Sequence, residues 1–159
     1  HSSLIKNINL NVTSYVWLSK IVADYMSINF QSGSIILLSS IYGMLAQNTN
    51  VYDGTDMKEN LTYNFIKGGL INYCRSMAAN YGKLNVRINC ISPGGILGPV
   101  AGKSNLQDKK FIKNYLKQNP IKRLGKPEDV ASMCIYLSSE ASSYINGANI
   151  VIDGGWSII

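Results

Sequence analysis

Hydrophobic and polar positions divide this chain into helices that alternate with short apolar runs. Over residues 3–28, Leu4, Ile8, Val12, Val16, Ile21 and Val22 recur near a helical period and predict a helix with one core-facing side. Gly33 then turns the chain into Ser34-Ile35-Ile36-Leu37-Leu38, a continuous apolar run typical of a strand buried on both faces. Residues 41–61 are polar, with turn signals at Asn48-Thr49-Asn50 and Asp53-Gly54-Thr55, and predict a long loop. Loops of that length in compact domains are often functional. A helix is expected next from Thr62, as its N-cap, to Tyr81, with Gly82 as the C′ residue and Leu70, Cys74, Met77 and Tyr81 as its apolar stripe. Gly68-Gly69 lies inside it. Each glycine costs roughly 1 kcal/mol relative to alanine, so a close approach of backbone, helix or ligand is the expected compensation.

Residues 86–91 predict a second strand, followed by the Gly-rich loop Pro93-Gly94-Gly95-Ile96-Leu97-Gly98-Pro99. Residues 105–118 predict an amphipathic helix, with Phe111, Ile112, Tyr115 and Leu116 on one side and lysines on the other. Pro127 suits the first position of another helix, with Glu128 and Asp129 in its positive first turn and Val130, Cys134 and Leu137 facing the core. Residues 149–152 form a third apolar run, ending in Asp153-Gly154-Gly155. Helices alternating with apolar strands predict an α/β fold around a parallel sheet, in one domain without internal repeats.

On this frame, Tyr63 and Lys67 stand four residues apart at the start of a helix, on one face and one turn apart. A free phenol titrates near pH ~10, too high for base work at neutral pH. A cation about 4 Å away favours the phenolate by about 4 kcal/mol at an effective dielectric near 20, before the lysine's own desolvation. The pair therefore approaches the range of a general acid–base catalyst. Alone, such a pair is usually a surface contact. Here Ser39 and Ser40 close the upstream strand and Pro93-Gly94 closes the downstream one, so a hydroxyl and a backbone turn are placed beside it.

Composition narrows the chemistry. The 159 residues carry a net charge of +6. Lys103, Lys109, Lys110, Lys113, Lys117, Lys122, Arg123 and Lys126 gather in one segment against only Asp108, so the positive charge is a local patch. No aromatic platform with nucleic-acid motif spacing accompanies it, and nucleic-acid binding is not expected. Cys74, Cys90 and Cys134 are odd in number and widely spaced, which points to buried thiols in a reducing, cytoplasmic compartment rather than to disulfides or a metal site. The only histidine is His1, which excludes a Ser-His-Asp or Cys-His mechanism. No apolar run is long enough to span a membrane.

Together these residues resemble the compact type of the short-chain dehydrogenase/reductase family, over nearly the whole chain but only the family's C-terminal half. Ile8-Asn9-Leu10 is similar to its helix-borne asparagine and Ser34 to Ser40 to its serine strand. Tyr63 and Lys67 fit the YxxxK pair and Pro93-Gly94 the turn after the next strand. Gly125-Lys126-Pro127-Glu128-Asp129-Val130-Ala131 fits the family's G-x-P-E-D-V-A segment, and Ile145-Asn146-Gly147 with Val151-Ile152-Asp153-Gly154-Gly155 its last strand. The resemblance implies the C-terminal part of a Rossmann-like parallel sheet, with the N-terminal strands and their pyrophosphate-binding glycine turn missing, so that residues 1–159 form a single partial domain. The loop between Ser40 and Tyr63 is longer than usual for the family. In that respect the chain is similar to dehydrogenases of bacterial surface-sugar and flagellin-glycan pathways.

The resemblance implies a nicotinamide-dependent oxidoreductase acting on an alcohol or ketone. Tyr63 would exchange the proton. Lys67 would lower the tyrosine pKa and hold the nicotinamide ribose. Ser40, rather than Ser39, would hold the reacting oxygen, and Asn9 would steady a water leading from Lys67 to solvent. Tyr63, Lys67, Pro93, Gly94, Gly95 and Ile96 would contact the cofactor, NAD or NADP. A sugar or nucleotide-sugar substrate, anionic if the basic segment acts as a lid, competes with a carrier-bound 3-oxoacyl substrate. The implied assembly is a homo-oligomer, a dimer or tetramer built partly from helices 3–28 and 62–81. Two further readings are a non-catalytic remnant or subunit of this fold and, as a less favoured one, a nucleotide-sugar epimerase or dehydratase.

Overall fold

The computed structural model describes residues 2–99 and 107–159. Its elements are helix α1 (Ser2–Ile8), a π turn (Asn9–Thr13), α2 (Ser14–Asn29), strand β1 (Gly33–Leu38), α3 (Leu61–Tyr81), β2 (Val86–Pro93), α4 (Lys109–Gln118), α5 (Pro127–Ser138) and β3 (Asn149–Ile152). The strands form one parallel sheet in the order β1-β2-β3, with Leu38 opposite Ile91 and Pro93 opposite Ile152. Helical crossovers make that parallel arrangement possible.

The central strand shows why the apolar runs are continuous. Val86, Ile88, Asn89, Cys90, Ile91 and Ser92 are all buried, because β2 has a strand on each edge and is covered on both faces. The buried Asn89 offsets its burial by pairing: its amide donates to the Ile145 carbonyl at 2.8 Å and its oxygen accepts from the Ala148 N–H at 3.0 Å. Asn146 does the same, accepting from the Ile88 N–H and donating to the Ala78 carbonyl.

Two apolar clusters result. One lies between the sheet and α2 and α3, around Ala23, Leu37, Cys74, Met77, Val86 and Ile88. The other caps the C-terminal ends of the strands, around Ile41, Val51, Tyr115, Leu124 and Trp156. Each large apolar side chain in them contributes about 1.5–3 kcal/mol by leaving water.

Several local expectations change. The helix at 3–28 is helical throughout but interrupted by the π turn, and Ile21, expected in the core, is half exposed because the buried face is set by Ser19 and Ala23. The N-cap of α3 is Asn60, not Thr62: the Asn60 side chain accepts from the Tyr63 N–H at 3.1 Å. Gly82 is not a left-handed terminator. It opens a further 3₁₀ turn, and Asn85 takes the left-handed conformation at φ 61°. Gly82 suits its site through space, since a Cβ there would lie 2.8 Å from the Asn146 amide. The loop at 41–61 holds two 3₁₀ turns, Ile41–Gly43 and Thr49–Tyr52, and buries Ile41 and Val51. The amphipathic helix begins at Lys109, with Asp108 as its N-cap, and its expected start at 105–106 lies outside the described residues, as does Lys103. Among the described residues no helix is long and apolar enough to cross a membrane.

Candidate active site

The site forms where β1 ends against the middle of α3. After Leu38 the Ser39 side chain donates to the Lys67 carbonyl at 2.8 Å, fastening the strand end to the helix. The chain then turns tightly through Ile41–Gly43. A Cβ on Gly43 would sit 2.7 Å from the Lys67 carbonyl group, and one on Gly68 would sit 3.2 Å from the Gly43 oxygen. Gly68 thus has the close backbone partner its helical position called for, whereas Gly69 has nothing within 4 Å of its would-be Cβ.

This contact fixes the height of Lys67 beside the strand. Its ammonium donates to the Leu38 carbonyl at 2.8 Å and stands 5.6 Å from the Tyr63 ring centre and 5.3 Å from that of Tyr15, on α2. Tyr63, one turn earlier, brings its phenol beside the Ser40 hydroxyl. The Ser40 oxygen accepts from the Tyr42 N–H at 3.2 Å, which orients the hydroxyl and leaves its proton available. Tyr63, Lys67 and Ser40 are therefore brought together, with Ser39 acting behind them as a tie.

The electrostatics differ from the simple ion-pair expectation. Burial raises the Tyr63 pKa above that of an ordinary phenol, opposed by the neighbouring Ser40 hydroxyl. Burial also lowers the Lys67 pKa, opposed by the nearby Cys90 thiol. The Lys67 ammonium is committed to the Leu38 carbonyl, and each group separately loses solvation for its charged form.

Asn9 opens the π turn and its side chain is exposed. Asn11, in the same turn, is half buried, with its amide donating to the Asn7 carbonyl at 3.1 Å.

Pro93 ends β2, and Gly94 and Gly95 follow at the C-terminal end of this central strand. Their lack of side chains is explained by neighbours within the chain. A Cβ on Gly94 would lie 2.8 Å from that of Asp153, and one on Gly95 would lie 2.9 Å from the Tyr115 ring. The Gly95 N–H donates to the Tyr115 hydroxyl at 2.7 Å, and Ile96 bridges to Gly125. Tyr115, a residue the sequence marks only as apolar, thus ties α4 to this loop. Burial pushes its phenol up to about 12.

The basic segment presents its lysines to solvent. Lys109, Lys110, Lys113, Lys117, Lys122 and Lys126 are exposed, with Lys117 donating to Asn114 and Lys122 to the carbonyls of Leu116 and Lys117. Phe111 and Tyr115 point inward; Phe111 stacks on Tyr52 of the long loop at 5.9 Å, and Tyr115 on Trp156 at 5.5 Å.

The sequence profile of the enoyl-(acyl carrier protein) reductase family matches residues 2–157. Glucose 1-dehydrogenase 2 of Bacillus subtilis is 33% identical over 153 residues, covering 95% of this chain and 54% of that protein. The 7alpha-hydroxysteroid dehydrogenase of Bacteroides fragilis is 36% identical over 150 residues, covering 94% and 53%. Among solved structures, a short chain dehydrogenase from Leptospira borgpetersenii with bound NAD+ superposes with a TM-score of 0.83 at 28% identity, covering 97% of this chain and 56% of that one. The chain spans about half the length of the curated relatives it matches.

Proposed function

Because this chain belongs to the short-chain dehydrogenase/reductase family, we propose that it carries the proton-transfer half of a nicotinamide-dependent oxidoreductase acting on a secondary alcohol or ketone. The observation behind this reading is the convergence of Tyr63, Ser40 and Lys67 at the C-terminal ends of parallel strands, the place where open α/β sheets bind ligands. The donor set suits a nicotinamide ribose. The Lys67 ammonium has three N–H donors, of which the Leu38 carbonyl takes one, and it stands beside a phenol. When bound, the cofactor supplies or accepts the hydride.

The chain's own residues manage the proton. In the reducing direction, the Ser40 hydroxyl donates to the substrate oxygen while Tyr63 Oη delivers the proton to that same oxygen. In oxidation, Tyr63 as phenolate takes the proton from the alcohol. Lys67 favours that anion once its ammonium turns from the Leu38 carbonyl toward it. Tyr15 walls the lysine on the α2 side. The NAD+ in the Leptospira relative supports NAD as the cofactor, with NADP the alternative, and Pro93 to Ile96, at the C-terminal end of β2, would lie against its nicotinamide. Asn9, at the start of the π turn, keeps the proposed role of steadying a proton path behind Lys67.

The same reading places the pyrophosphate site in a preceding half of the natural protein. It also includes a homo-oligomer, supported by apolar side chains left exposed on α2 and α3, such as Trp17, Leu18 and Phe65. The exposed lysines of α4 support an anionic sugar derivative as substrate through long-range attraction. The unpaired cysteines fit a reducing cytoplasm.

The test is Tyr63→Phe in the intact protein. We expect turnover to fall by roughly 10²–10⁴-fold, the usual contribution of a general acid–base group, while cofactor binding persists. Turnover near that of the wild type would remove Tyr63 from the mechanism.

A further inference from the structure

Beside the Ser40–Tyr63 pair sits a phenol that the proton transfer does not use. Tyr42 lies two residues after Ser40 in the same turn, and its backbone N–H orients the Ser40 hydroxyl. Its ring stands edge-on to Trp156, at 5.9 Å and 90°. Its Oη is buried and has no hydrogen-bond partner. The Tyr52 phenol is its near neighbour and stands beyond hydrogen-bond geometry. Burying a hydroxyl without a partner carries a desolvation penalty that a phenylalanine in the same place would not.

We propose that Tyr42 Oη is the specificity-determining donor of this site, and that it takes a second oxygen of the substrate close to the reacting carbon, so that the substrate is a polyol or hydroxy ketone. The proposal rests on the oxidoreductase reading above and deepens it. Family membership leaves the substrate open, since one relative is named for a sugar and another for a steroid. The surroundings of Tyr42 narrow the choice. Tyr52, Phe111 and Trp156 pack with Tyr42 in one apolar cluster, so its hydroxyl is a lone polar group among flat apolar rings. Burial, with the Tyr52, Tyr115 and Tyr63 phenols nearby, raises the Tyr42 pKa, so it remains a neutral donor wherever the enzyme works. Ser40 and Tyr63 are occupied by the reacting oxygen, which leaves Tyr42 to read the next one. A site built to hydrogen-bond a substrate hydroxyl discriminates strongly against an analogue that lacks it, because its buried donor is then left unpaired.

The experiment compares kcat/KM for 2,3-butanediol and 2-butanol in the intact wild-type protein and in Tyr42→Phe, with Tyr63→Phe as a mechanistic control. We expect the wild type to favour the diol by about tenfold or more, equivalent to about 1.4 kcal/mol, and Tyr42→Phe to bring that ratio close to one. Tyr52→Phe, which removes the neighbouring phenol, should leave the preference for the diol in place. An unchanged ratio in Tyr42→Phe, a wild type that favours 2-butanol, or one that oxidises neither alcohol with NAD or NADP overturns the proposal while leaving the oxidoreductase reading intact. A fully active Tyr63→Phe overturns both.

Discussion

At Gly43 one absent methyl group sets the distance between the serine turn and the catalytic helix. A Cβ there meets the Lys67 carbonyl group, which is backbone and cannot swing aside. Gly43→Ala should therefore cost about 1–3 kcal/mol, the usual penalty of overpacking, and should displace Lys67 along with α3. Gly69→Ala is the control. It lies in the same helix with open space around it, and it should stabilise by roughly 0.5–1 kcal/mol through helix propensity. Chemical denaturation of the two variants checks the pair, and shifts of the same sign would contradict the packing argument. Lys67→Ala in the intact protein should lower cofactor affinity by about 10–100-fold, the worth of a charged hydrogen bond, and should reduce turnover as well. A loss of turnover with unchanged cofactor affinity would confine Lys67 to the proton path. The Tyr63–Lys67 spacing and the serines are visible in the chain. Tyr42 is not, because its importance depends on which neighbours it meets or lacks.

The start of α5 makes a pH-dependent contact that can be read from its parts. Asp129 accepts from the Lys126 N–H at 2.7 Å and from the Arg123 guanidinium at 2.6 and 3.1 Å. The Arg123 hydrogen bonds, followed by the backbone one, lower its carboxyl to about 2. A carboxyl whose pKa is lowered on folding contributes stability above its unfolded pKa, and that contribution is lost as pH falls toward the folded value. Thermal stability of the wild type should therefore decline more steeply than that of Asp129→Asn between pH 4 and pH 2. Parallel curves would show that the pair adds nothing. On α4 the question concerns charge. Neutralising Lys109, Lys110 and Lys113 together should raise the KM for an anionic sugar phosphate and flatten its salt dependence, since such attraction is screened by ions. An unchanged KM at low and high salt would leave those lysines as a solvated face. The alternation of helices and strands could be read from hydrophobic period alone. The interruption by the π turn and the ends of α3 could not, because capping depends on single side-chain contacts that compete within a few residues of one another.

At the scale of the whole molecule, β1 has a paired edge only toward β2 among the described residues, and an apolar groove of about 320 Å³ lies between β1 and α2, lined by Tyr15, Leu18, Val22, Ile35 and Leu37. A hydrophobic strand edge of this kind invites pairing. We expect the 159-residue chain alone not to bind NADH or NADPH measurably, because the adenosine side of the crevice would be supplied by further strands on that edge. Micromolar binding by calorimetry would contradict this. The intact protein should sediment as a dimer or tetramer, and a clean monomer at high micromolar concentration would count against the apolar faces of α2 and α3 as subunit contacts.

The sequence by itself determined the fold class, the parallel order implied by alternating elements, and the order in which Ser40, Tyr63 and Lys67 occur. These follow from periodicity and spacing, which are local properties of the chain. Tertiary structure alone decided that Gly68 packs on Gly43 while Gly69 stands free, and that the α4 lysines point to solvent. It also decided that the Tyr42 hydroxyl is buried without a partner. Each of these depends on an approach between residues distant along the chain, and the desolvation that raises Tyr63 and lowers Lys67 exists only once those residues are packed around them.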